Sequence, residues 1–140
     1  MFRPLIPALN SAVLELAPVF EARDVAPETF RDILPIRGAI VWSGASGQTI
    51  WADPQINHAF RAWHDRCHCD GAHDFTFAGE AATCERQISE LLALYPRAPA
   101  GWLAAIRAEV TGQAEFFAMT GSFPSDQYAF VQQAINGAGL

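Results

Sequence analysis

The stretch DPQINHAFRAWHDRCHCDG, Asp53 to Gly71, decides the fold class. Aspartate followed by proline is a helix start, because Asp accepts from free N–H groups of the first turn and proline fits the first helical position. Ile56, Phe60, Trp63 and Cys67 then recur three or four residues apart, which makes one apolar stripe of an α-helix. Asp70 and Gly71 mark its end. Asn57, His64 and His68 border the stripe, so this helix turns two imidazoles, one turn apart, toward whatever packs against it.

Downstream, Gly79 and Glu80 lead into Cys84, Ile88, Leu91 and Leu92, which predicts a second helix ending before Pro96. Pro99 opens a third, where Trp102, Ile106, Val110, Phe116 and Phe117 hold helical phase until Gly121. A last helix follows Pro124, with Phe130, Val131, Ala134 and Ile135 inward and Gly137 at its end.

Upstream, Leu9, Val13, Leu16 and Phe20 predict a helix that Pro18 ends or kinks, and Pro27, Glu28, Phe30, Ile33 and Leu34 predict a short one closed by Pro35. Between these and Asp53 lie two β-branched and aromatic runs, Gly38 to Ser43 and Gln48 to Ala52, which predict a β-hairpin around Gly44-Ala-Ser-Gly47. That glycine pair lacks the Lys-Ser/Thr ending of a phosphate loop, so it reads as a turn. The expected fold is mainly α: a helical bundle of about five helices with one small β-hairpin. It forms one domain, with a helical N-terminal part and hairpin over 1–52 and metal-site helices over 53–140.

Composition bounds the function. A chain of 140 residues, 51% hydrophobic and 17% charged, has the material for one core and is too apolar to be disordered. Nine basic against fifteen acidic residues give a net charge of −6, which opposes attraction to nucleic-acid backbones and to anionic membranes. Arg3, Pro4, Pro7 and polar residues interrupt any apolar run between Met1 and Ala17, so neither a signal nor a membrane span is expected. Cys67, Cys69 and Cys84 are an odd set in a chain long enough to do without staples, which points to reduced thiols in the cytoplasm.

The polar residues of the helices carry the functional reading. Glu80, Cys84, Gln87 and Leu91 share one face of the second helix, and Glu109 and Gln113 sit amid the apolar stripe of the third. An isolated carboxylate in an apolar interior loses several kcal/mol of solvation unless a cation, metal or proton compensates it. His64, His68, Glu80 and Glu109 are therefore the expected ligands of a divalent transition metal, zinc, iron or manganese, with Gln113 and Asn57 orienting a ligand or bound water. The chemistry expected of such a centre is hydrolysis of a small-molecule substrate, a phosphoester or nucleotide first, with Glu109 or Glu80 taking the proton.

Other readings use the same residues. The histidines and carboxylates could form a hydrogen-bonded network with no metal. The cluster His64, Cys67, His68, Cys69, His73 and Cys84 suggests a structural zinc, although Cys67-x-Cys69 is one residue tighter than the common spacing and Cys67 lies in the apolar stripe. His64-Asp65 matches the dyad of HD phosphohydrolases, but the further upstream His and inward downstream Asp of that family are missing. His58 and Asp65 lie farther round their helix and read as solvated.

A longer pattern joins these helices: Asn57 with His64-Asp65-x-x-His68, then Asp74-Phe-x-Phe-x-Gly79-Glu80, Glu109-x-x-Gly-Gln113 and Phe123-Pro-x-Asp-Gln127. It resembles uncharacterised phage and mobile-element proteins from Asn57 onward, which implies one structural unit and no particular activity. A second reading is a non-catalytic interaction protein, such as a phage inhibitor of a host defence complex, in which the polar centre only fixes the fold. Its partner would be a host protein. Exposure of Trp42 and Trp51 would favour it, and core packing of both would not.

Overall fold

The structure is a computed structural model that describes residues 3–139; Met1, Phe2 and Leu140, which the one-domain expectation includes, lie outside the described residues. The helix α3, Pro54–Gly71, begins as its sequence requires, with the Asp53 carboxylate accepting from the Gln55 N–H at 2.9 Å. It ends on Ala72, whose φ of +53° is left-handed, and the N–H of His73 returns to the His68 carbonyl at 2.9 Å. The last turn therefore places the backbone of His73 directly over His68.

Five residues later comes α4, Phe77–Leu94, whose cap is the Thr76 hydroxyl, accepting from the Gly79 N–H at 3.1 Å. The stripe of α3, with Phe60, Trp63 and Cys67, packs on Cys84, Ile88 and Leu91 of α4, and α1, Pro7–Leu16, adds Leu9, Ala12 and Val13 to the same core. At its edge Glu90 accepts from Trp63 Nε1 at 3.1 Å and pairs with Arg66, which ties α3 to α4.

The predicted third helix is one rod with a defect. It runs as α5, Ala100–Arg107, then a π-helical turn, Ala108–Gly112, then α6, Gln113–Thr120, and Gly121 ends it at φ +81°. A π turn inserts one residue and rotates all that follows by about 100° against uniform α phase. Phe117, expected inward, is for this reason 46% exposed. Helix α7, Gln127–Gly137, starts on Asp126, which accepts from the Ala129 N–H at 2.9 Å, and buries Val131.

The β-hairpin is not formed. The run expected as its first strand is β2, Ile40–Trp42, but its partner is β1, Glu21–Arg23, parallel to it with Ala22 opposite Val41. Parallel strands need a crossover, supplied by the segment that carries the short helix α2, Phe30–Ile33. Gln48 to Ala52 is a turn that sends Ile50 and Trp51 into the core, each 1% exposed, and reaches the cap of α3 through Ala52 at φ +64°. Its β-branched and aromatic content reflects burial, not pairing. Among the described residues no helix is long and apolar enough to cross a membrane.

Candidate metal centre

His64 and His68 stand one turn apart on α3, and Glu80 in the first turn of α4 faces both. The Nε2 atoms of the two histidines are 3.0 Å apart, and Glu80 Oε2 lies 3.0 Å from His64 Nε2 and 3.1 Å from His68 Nε2. Metal bonds of about 2.0–2.2 Å place neighbouring ligand atoms roughly 3.0–3.4 Å apart, so the triangle has the size of one face of a coordination sphere.

The other ring nitrogens decide what those three atoms offer. His68 Nδ1 is 2.7 Å from the carbonyl oxygen of His73, which only accepts, so Nδ1 carries the proton; the Thr83 hydroxyl is 3.1 Å from the same nitrogen. His64 Nδ1 likewise faces Gln87 Oε1 at 2.7 Å. Both Nε2 atoms then present lone pairs to each other and to a carboxylate oxygen. Three lone pairs at this range repel unless a cation or proton sits among them, and hydrogen-bonded outer nitrogens are how proteins fix imidazoles on a metal. The donor set fits a divalent metal.

Electrostatics separates the two glutamates. Burial alone would raise the Glu80 carboxyl, but with protons and no metal ion in the triangle the hydrogen bonds and charges of His64 and His68 outweigh it and hold the group down to about 2. Burial also works against a charged His64, yet Glu80 and Asp65 leave its pKa raised. Glu109 has no such neighbour in contact: burial pushes it up to about 8, against the weaker pull of Arg61 and His64. Its Oε1 is shut off from solvent and has no hydrogen-bond partner among the described residues.

The group that could hold a metal among the described residues is His64, His68 and Glu80. Glu109, expected as a fourth ligand, is not in it; it stands in the wall of a cavity of about 1120 Å³ that also meets His64, Glu80, Asn57 and Gln113. Gln113 is 7% exposed with its Nε2 unpartnered, while the Asn57 amide donates to Ser46 Oγ at 2.8 Å and holds the Gly44–Gly47 loop on α3. Asp65 and His58 are half-buried, not solvated. His58 Nε2 lies 3.1 Å from the Ser43 carbonyl, and burial raises the Asp65 carboxyl against His64 and His68.

Among the described residues the cysteines join no group that could hold a metal. Burial and the nearby Glu90 charge push the Cys67 thiol up to about 12, Cys69 Sγ donates to the Ile33 carbonyl at 3.4 Å, and Cys84 lies in the core. All three are free.

Gln87, placed by its spacing on the same face as Glu80, does meet His64. Two contributors were not anticipated. Thr83 follows Glu80 on α4 at helical spacing, a signal the sequence did carry. Arg61 gave none: its guanidinium donates to the carbonyls of Trp42 and Gly44, both at 2.6 Å, and lies 5.3 Å from the Trp42 ring, which puts a cation on the cavity wall. Comparison with protein families, curated proteins and solved structures returned no match.

Proposed function

We propose that the chain is a metal-dependent hydrolase of a phosphoester or nucleotide-like small molecule, with a zinc, iron or manganese ion held by His64, His68 and Glu80. The observation that carries this is the convergence of three lone pairs beside a large cavity, each imidazole fixed from behind by a hydrogen-bond acceptor. A divalent ion there supplies a Lewis acid and a water acidified toward neutrality. Three protein ligands leave positions for water and substrate.

The glutamates divide the remaining work, because carboxyls pushed apart in pKa take opposite roles. Glu80, held near 2, is a poor base and a good ligand. Glu109, near 8, keeps its proton at neutral pH and can donate it to the oxygen of the leaving group as the ester bond breaks, regaining one from the water consumed. Arg61 adds a positive charge to the wall, which favours an anionic substrate. The free thiols support a reducing compartment such as the cytoplasm.

Support for the interaction-protein reading is weaker. Trp51 is core, and Trp42, half exposed, lies against Arg61 at the cavity.

The test is elemental analysis of protein purified without chelator, beside phosphoester hydrolysis by the wild type and by His68→Gln. Near one equivalent of metal, with loss of both metal and hydrolysis in a folded His68→Gln protein, is the expected result. A metal-free wild type that gains no thermal stability from added zinc, iron or manganese would leave a proton shared among His64, His68 and Glu80 as the better account.

A further inference from the structure

We propose that the ligand of the cavity carries a planar aromatic ring beside its phosphoester, and that five aromatic side chains at the cavity mouth hold this ring. Only the phosphoester part rests on the hydrolase reading; the ring site stands on the collar.

Eleven large hydrophobic side chains are exposed among the described residues. Five are aromatic, Trp42, Phe75, Phe77, Phe117 and Phe123, and all five line this cavity. The six aliphatic ones all lie elsewhere. Incomplete packing would leave both kinds at the mouth, so the sorting by chemistry points to a ligand. The five come from separate places: the end of β2, the loop before α4, the first residue of α4, helix α6 and the loop before α7.

The geometry narrows the ligand. Phe117 and Phe123 stack with centroids 4.8 Å apart and 29° between planes, a platform that another flat ring extends. Phe75 sits edge-on to the His68 imidazole, centroids 4.9 Å apart, so the collar begins about one ring's width from the metal ligands. A ring held there is adjacent to the reacting group, as in a nucleoside phosphate or an aryl phosphate. An aliphatic tail would call for leucine and isoleucine, which the cavity wall does not contain.

Calorimetric titration of metal-loaded wild-type protein tests this with two matched pairs: adenosine 5′-monophosphate against ribose 5-phosphate, and phenyl phosphate against cyclohexyl phosphate. The ring-bearing member of each pair should bind about fivefold more tightly or better, since a stacked ring contributes about 1–3 kcal/mol. Which pair shows the larger ratio tells a nucleobase from a simple aryl group. The double variant Phe117→Leu, Phe123→Leu keeps apolar bulk and removes the platform, so the ratio should fall toward one while metal content and melting temperature hold.

Equal affinity within both pairs, no binding of any probe, or a ratio unchanged in the double variant overturns the ring site. Ring preference with no hydrolysis of any probe keeps the ring site and removes the hydrolase reading. Hydrolysis with equal affinities does the reverse, and leaves the collar as a surface for a protein partner.

Discussion

Glu109 has the most consequential environment of any single residue here, because its burial without a partner ties proton affinity to stability. Its pKa is raised from 4.5 to about 8, so between those values the folded protein holds a proton that the unfolded chain has released. Stability from this group is fully present below about pH 4.5, falls as pH rises through the window by at most about 1.4 kcal/mol per unit, and is lost above about pH 8. Glu109→Gln keeps the shape without the ionisation, so its unfolding free energy should fall less between pH 5 and 8 than the wild type's; parallel curves would mean that Glu109 is ionised when folded. Gln87 should act on the metal and not on the fold. Losing an orienting partner of this kind weakens metal binding about 10- to 100-fold, so Gln87→Ala should show that loss in a competitive chelator titration, and an unchanged affinity would remove Gln87 from the site. The inward placement of His64, His68, Glu80 and Gln113 was legible from helical spacing, since each shares a face with unambiguous core residues. That Glu109 stands outside the group of His64, His68 and Glu80 was not, because spacing gives a direction and not a distance.

Where the elements depart from simple periodicity, the cause is a local backbone feature or a distant partner. The π turn at Ala108–Gly112 has no apolar signature of its own, so a sequence read at 100° per residue carries Phe117 inward, whereas the structure turns it to the cavity mouth. The parallel pairing of β1 with β2 was equally hidden, because three-residue strands have too little pattern to name a partner that far away. Gly79 is the opposite case, a feature with a strict local demand. A Cβ there would come 2.0 Å from the Asp74 carbonyl oxygen, and Glu80 is the next residue. Gly79→Ala must therefore push the start of α4 away from its loop. The expected cost is about 2–3 kcal/mol of stability together with reduced metal content, read by denaturant melts and elemental analysis. Ala78→Ser, at the exposed neighbouring position, should change neither, and equal behaviour of the two variants would show that the turn does not set the ligand geometry.

Across the molecule, two kinds of cohesion hold the same helices. The apolar core formed by Leu9, Val13, Trp51, Trp63, Leu91 and Ile106 is fully or almost fully buried and draws on α1, α3, α4 and α5, so it does not depend on an ion. The triangle of His64, His68 and Glu80, which could hold a metal, adds one link between α3 and α4 at the cavity edge. Chelation should consequently soften the protein without unfolding it, unlike small domains in which metal binding is itself the folding energy. Metal that binds the native state alone, at a free concentration near a thousand times its dissociation constant, adds about 4 kcal/mol, or roughly 10 °C in melting temperature for a chain of this size. The measurement is a pair of thermal melts, metal-loaded and chelator-treated, with the far-ultraviolet circular dichroism of both recorded at 25 °C. Matching spectra with a lower melt after chelation are expected in the wild type, and His68→Gln should melt at one temperature under both conditions. Loss of the helical spectrum on chelation would mean that the core does not stand without the ion, and identical wild-type melts would mean that nothing divalent occupies the triangle. The His68→Gln pair keeps these apart from a chelator that merely destabilises proteins, because a nonspecific effect would lower the variant's melt as well.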